Sequence, residues 1–480
     1  MLDLALSIVS FGCVIYTGVA IPILTPAIYE LTTTFERPLG DIAQLTGMMM
    51  VVIGFFGLII AMLSRTFGKR PVFLLSSFFG FIGTIVCQCA TSYEILLAGR
   101  LVQGLAAPAF ESLVVSMTGE LYFVHQRGSR VTAMQFSGYC TGFLSPIIAG
   151  VIYDNLGWKY LFHLLLPCVT LQGIMTFFFV PETVYHRSEI YETDTATTDH
   201  YKELSKAKEK TVIVQETLSS EDSLTPAAKT FWQRTAIYNG RFNSTNPFLL
   251  IVAPFLTLAN PATIWAALTQ GFSTAWLMTT SFVISQIWAA PPNNLSASAV
   301  GNLSIGGLIG GLLGSAFLAF GSDPIAVFCA RKNKGIYEPE FRIFPVILAA
   351  IAGALGLFLM GHMTEDGKGP YVFSACYGIY GVSLILGSGI ANAYMVDAHR
   401  NESTEMVMFS MLFKNILGFQ ASYWVNNYLA KVGPAKYFDM QGGVLMAVYA
   451  LSIPMYVLGK KNRSWWARYG GLEKFGIHQH

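Results

Sequence analysis

Apolar runs of about 20 residues recur twelve times along the chain, parted by short polar breaks. At ~1.5 Å per residue, each run is long enough to cross the ~30 Å hydrocarbon layer of a bilayer as a helix. No water reaches backbone N–H and C=O groups at that depth, so such runs are confined to helices that satisfy themselves. The runs lie near 4–29, 42–64, 71–91, 95–119, 131–153 and 159–180, then near 261–288, 297–320, 341–361, 371–396, 404–429 and 440–459. Charged residues make up only 12% of the 480, against roughly 25% in ordinary soluble domains.

Between the two sets, 181–246 carries ten acidic and eight basic residues with many Ser and Thr, which predicts a cytosolic linker with too little apolar content for a core. An offset of 257 carries the start of the first run to that of the seventh, and Ser64 to Gly321. The expected fold class is therefore an all-α membrane protein with twelve transmembrane helices in two pseudo-symmetric six-helix bundles. The expected domains are a first bundle at 1–180, the linker at 181–246, a second bundle at 247–459 and a cytosolic tail at 460–480. The short, Pro-broken stretch 247–260 is expected to lie in the interface ahead of the seventh run. With both ends in the cytosol, only Arg37, Lys159, Lys368, Lys431 and Lys436 fall outside and only Arg100 and Lys414 within runs, as the positive-inside rule demands. Asn294, in the outward loop PPNNLS, is then a candidate glycosylation acceptor.

Several classes drop out. A net charge of +2 without a basic arm gives no reason to expect nucleic acid as a partner. The seven cysteines sit in runs or cytosolic loops, and Cys87 and Cys89 point about 200° apart on a helix, so neither disulfides nor a metal site are expected. The first apolar run is too long for a cleavable signal core. GYCTG at 138–142 imitates a nucleophile elbow inside a run with no preceding strand, and neither a phosphate-binding GxxxxGK[ST] loop nor HExxH occurs, so an enzyme is not expected and no cofactor is called for.

The fourth run reads LLAGRLVQGLAAPAFE, with Leu96, Arg100, Gln103 and Gly104 in a Leu-x-x-x-Arg-x-x-Gln-Gly pattern. With LYFVHQRG at 121–128, LGW at 156–158, PET at 181–183 and RKNKGIYEPEFR at 331–342, the chain resembles the major facilitator superfamily, in particular its fungal twelve-span drug:proton antiporter branch and polyamine-transporter-like members. That resemblance implies proton-linked movement of a small organic molecule between two bundles. Two places depart from the pattern. Arg65 and Thr66 stand where the loop after the second run usually has an acid and then a base, and the antiporter Gly-Pro is Ser145 and Pro146.

Glu111 is the one carboxylate expected deep in hydrocarbon, with Arg100 and Lys414 the two cations there; each costs roughly 2.5–3.5 kcal/mol to insert. Arg100, Gln103, Gly104, Ala107 and Glu111 fall at helical spacing, which predicts one polar stripe facing the central path. Burial favours the protonated acid and a nearby cation favours the carboxylate, so Glu111 suits proton coupling or substrate binding with Arg100, Gln103 and Lys414. Each charge also admits a structural reading, as half of a buried pair or, for Arg100, a snorkelling chain. Tyr16, Gln270, Trp276, Tyr377, Tyr380 and Asn392 are expected to line the cavity, since the resemblance makes their runs cavity-lining helices; the aromatic faces would suit an amine. Arg70, Glu120, Arg127, Asp323, Arg331 and Arg342 are expected as a cytosolic gate. The glycine series Gly306, Gly307, Gly310, Gly311 and Gly314 reads as a helix-packing face. The leading expectation is a monomeric plasma-membrane exporter of a small amphipathic or cationic compound, partnered by protons and the lipid bilayer. The alternatives are an importer of amines or polyamines, or a transporter-like nutrient sensor that signals through its linker.

Overall fold

A computed structural model describes residues 12–114, 117, 124–180, 240, 246–399 and 402–469, for 124–135, 323, 467 and 469 without side chains. Every regular element among them is helical. The first half holds α1 (Gly12–Phe35), α2 (Leu39–Phe67), α3 (Lys69–Gln88), α4 (Tyr93–Pro108), α5 (Val124–Leu156) and α6 (Lys159–Phe179). The second holds α7 (Pro247–Leu256), α8 (Pro261–Trp288), α9 (Ala297–Lys332), α10 (Pro339–Glu365), α11 (Pro370–Ala398) and α12 (Ser403–Val432). Then come α13 (Pro434–Ala450) and α14 (Ser452–Tyr469), which run on as one apolar stretch.

Among the described residues nine helices are long and apolar enough to cross a membrane, and the bent pair of α7 and α8 makes a tenth. The other two crossings are α4, whose far end passes into residues not described, and α12, whose 30 residues span about 45 Å. These twelve crossings form the two six-helix halves.

Local chemistry sets the helix boundaries. Ser92 accepts from the Ile95 amide at 3.4 Å and opens α4, while Asn260 accepts from the Ala262 amide at 3.0 Å, followed by Pro261 in the first turn of α8. Gly68 and Gly433 end α2 and α12 at φ of 95° and 80°, backbone that side-chain-bearing residues rarely adopt. Helix α7 turns 97° from α8 at this junction, the direction of a helix lying along the membrane plane. Two bounds differ from the sequence reading. Helix α1 runs on to Phe35 rather than ending near 29, because Pro22 and Pro26 tighten it into a 3-10 turn over Pro22–Ala27 without ending it. Helix α14 continues past 460, where the tail was expected to begin, since its charges find partners on the bundle face.

The halves meet along α2 with α12 and along α5 with α9. Gly150 of α5 lies so close to the Ala297 carbonyl of α9 that any side chain there would collide with it. Inside the second half, Gly306 and Gly310 of α9 abut the Ser374 and Gly378 carbonyls of α11 in the same way, which accounts for the glycine series as close helix packing.

Candidate functional site

Pro108 has no amide to donate, and directly after it α4 widens into a π-turn over Ala109–Leu113. The extra winding carries Glu111 out of line with the residues before it. Its carboxylate forms an ion pair with Lys414 of α12, in the other half. The two side chains are 23% and 14% exposed, so the pair is sheltered without being sealed. Lys414 sits about 17 Å along α12, too far from either end to reach water by extending. Around Glu111 is a small cavity of about 10 Å³, bordered by Ile53, Gly57, Ser112, Met408 and Asn415, close to the least space that admits one water.

The single polar stripe expected along α4 is not what the fold builds. Arg100 and Gln103 are fully buried within the first half. Arg100 donates to the Ala20 and Ile21 carbonyls at 2.6 and 3.1 Å, where α1 enters its 3-10 turn, and to Thr46 and Gln103 at 3.4 and 3.2 Å. Gln103 passes the network on to Thr84 of α3 at 3.0 Å. These two residues tie α1, α2, α3 and α4 together, whereas Glu111, past the π-turn, reaches across to the second half.

Of the residues expected to line the cavity, Gln270, Trp276 and Asn392 each hold a buried polar atom with no hydrogen-bond partner among the described residues. Such groups are costly unless water or a ligand meets them. Tyr377 packs edge-on against Phe143 of α5 at 5.7 Å, a contact between halves. Tyr16 meets Phe110 edge-on at 5.5 Å inside the first half. Tyr380 does not present its hydroxyl to a cavity: it is fully buried and donates to the Ser273 carbonyl, because α8 and α11 pack directly there.

Two of the expected cytosolic gate residues have bonds within their own half. Arg70 donates to the Phe177 and Val180 carbonyls, where the last turn of α6 leaves acceptors unmet, and Arg342 pairs with Asp397 inside the second half. Arg331 is exposed with no partner among the described residues. Glu120 and the side chains of Arg127 and Asp323 lie outside the described residues. Asn294, in an exposed loop, donates to the Pro292 carbonyl at 3.3 Å.

Further contacts between the halves were not read from the sequence, among them the Ser285 hydroxyl of α8, which accepts from the Tyr29 amide at 3.1 Å and donates to the Pro26 carbonyl at 3.4 Å. Arg65 of α2 meets Glu405 of α12 at 2.5 Å, with Glu405 only 2% exposed. The Tyr139 and Ser388 hydroxyls of α5 and α11 lie 3.0 Å apart. The Asp154 carboxylate at the end of α5 accepts from the Ala297 and Ser298 amides at 3.2 and 2.9 Å, at the start of α9. One signal was available: Arg65 occupies the place where an acid was expected, which marks that loop's charge contact as altered.

The end of the second half where α10 and α11 meet α14 carries its own polar cluster. Arg463 of α14 donates to both Glu340 oxygens at 3.0 and 2.9 Å, Lys460 meets Glu338 at 2.7 Å, and Trp466 donates to Glu402 at 2.5 Å. Beside them His399 contacts Asn260 at 3.4 Å; burial, then the nearby Arg463 charge, pushes its imidazole down to about 4.

A Major Facilitator Superfamily family match spans residues 6–422. An uncharacterised MFS-type transporter of Schizosaccharomyces pombe is 22% identical over 88% of this chain and 78% of its own length. Protein HOL1 of Saccharomyces cerevisiae is 22% identical over 88% and 80%, and the efflux pump radE of Floropilus chiversii 20% over 96% and 80%. Among solved structures, the xylose transporter XylE from E. coli, in a partially occluded inward-open conformation, superposes with a TM-score of 0.61 at 12% identity, covering 94% of this chain and 97% of its own.

Proposed function

For this chain, which belongs to the Major Facilitator Superfamily and is a multi-span membrane transporter rather than an enzyme, we propose proton-coupled export of a small amphipathic or cationic organic compound across the plasma membrane by alternating access. The observation that carries the reading is the ion pair between Glu111 and Lys414, a charge contact inside the membrane between the two halves that must move against each other. A proton arriving on Glu111 discharges the carboxylate and removes the attraction that holds Lys414. Loss of the proton restores it. A cationic substrate competes for the same carboxylate, so proton and substrate exclude one another, which is the logic of antiport. The unpartnered polar atoms of Gln270, Trp276 and Asn392 supply further hydrogen-bonding capacity for a solute, and similarity to a named efflux pump favours the outward direction.

The test is flux in reconstituted vesicles across a panel of radiolabelled amines and toxins under an imposed pH gradient. Export by antiport requires substrate to move against the proton flow; co-movement with protons would mean import, and binding without movement a sensor. Glu111→Gln abolishes pH-driven flux while the protein stays folded. Unchanged coupling in that variant would end the assignment.

A further inference from the structure

Away from the ion pair, a second cavity of about 580 Å³ opens between α8 and α14, within the ~300–1,000 Å³ range of sites that hold small ligands. Its walls are apolar, with Ile264, Leu451 and Leu458 exposed by 44%, 43% and 49%, and its lining includes Lys461 and Trp465. We propose that this groove binds an anionic phospholipid of the cytosolic leaflet, one acyl chain between the helices and the headgroup at Lys461.

The fold gives the groove its depth. Helix α7 turns 97° from α8 at Asn260, and on the interfacial reading of α7 the cytosolic membrane surface lies at that level. Asn462 of α14 donates to Asn260 at 2.8 Å and so stands at the same height. From there α14 runs back into the bilayer to Leu451, about 17 Å away and roughly half of the ~30 Å hydrocarbon layer. The groove is therefore one leaflet deep, apolar where acyl chains lie and cationic where headgroups lie. Exposed Trp465 belongs at that boundary, where indoles concentrate.

Charge selects the lipid. Of the cations beside Lys461 on α14, Lys460 is engaged by Glu338 and Arg463 by Glu340. Lys461 is exposed and has no partner among the described residues, so one positive charge is left at the mouth. Cytosolic leaflets carry anionic lipids that such a lysine attracts. The groove and the cavity at Glu111 share no lining residue, so occupancy does not depend on the transport reading.

Native mass spectrometry of the purified full-length chain, given phosphatidylserine or phosphatidylcholine with identical acyl chains, tests the proposal. The wild type retains phosphatidylserine preferentially. Lys461→Gln weakens that retention about fivefold and leaves phosphatidylcholine unchanged. Leu268→Trp, which fills the groove, lowers retention of both lipids; Ile264→Trp, from the exposed wall, does the same and stands in if the first variant misfolds. Equal retention of the two lipids by the wild type, or phosphatidylserine retention indifferent to Lys461→Gln, overturns the proposal. Displacement by glycerophosphoserine as efficient as by the intact lipid also overturns it, since the acyl groove would then play no part.

Discussion

Glu111 on the π-turn of α4 and Lys414 midway along α12 are 303 residues apart in sequence and joined as an ion pair in the fold. Neither half contains both charges, so the pair exists only when the halves meet.

A double-mutant cycle separates the two consequences of that pairing. Glu111→Gln or Lys414→Met alone strands a sheltered charge and destabilises the protein by about 1–3 kcal/mol, below the ~3–5 kcal/mol of a fully buried pair because both groups keep some exposure. The double variant regains most of that stability, yet pH-driven flux stays lost. Thermal unfolding of the four proteins in one detergent, beside vesicle flux, checks both halves of the expectation. Restored flux in the double variant would make the pair structural only.

The contact between Arg65 and Glu405 joins the last turn of α2 to the first turn of α12. Arg65→Gln loosens that junction. A cysteine placed at Ser64, otherwise only 4% exposed, then reacts with a membrane-impermeant thiol reagent at least about fivefold faster, since losing Arg65 strands the buried Glu405 charge at a cost of about 1–3 kcal/mol. Labelling at the wild-type rate would show that the contact does not hold the halves.

Two neighbouring glycines of α9 should respond in opposite ways to the same change. A Cβ at Gly310 would collide with the Gly378 carbonyl of α11, while one at Gly311 meets the Phe143 ring at 3.5 Å, an ordinary contact. Gly310→Ala therefore destabilises by about 1–3 kcal/mol and Gly311→Ala by less than about 0.5 kcal/mol, read as shifts in unfolding temperature.

Acid should weaken the polar cluster beside α14 through His399. Its folded pKa, about 4, lies below the ordinary 6.5, so between these values the unfolded chain binds the proton and the folded chain does not. Stability is full above about 6.5, falls as the pH drops toward 4, and is then flat, a loss on the order of 3 kcal/mol. Unfolding temperatures across that window check it. His399→Asn should flatten the slope.

The membrane fold was legible because hydrocarbon leaves so few choices: twelve apolar runs and the lysine and arginine bias constrain the architecture without any long-range information. Glu111 and Lys414 could be singled out one by one, since a charge amid apolar residues is conspicuous. Their partnership could not, as nothing local relates positions 303 residues apart. Arg100 and Gln103 were misplaced for a different reason. Helical spacing puts them on one face with Glu111 only while the winding is uniform, and the π-turn after Pro108 breaks that uniformity. Arg70 and Arg342 looked like gate charges by position in the chain, yet each finds partners within its own half.

Where α5 ends, the Asp154 carboxylate rests on the first amides of α9. A clasp of this kind is reversible by design of its chemistry: when it lets go, water can solvate the acid and the bared helix end alike, so neither is stranded. Parting α5 from α9 there would leave few polar groups unmet, which is what the proposed alternating access requires of this contact.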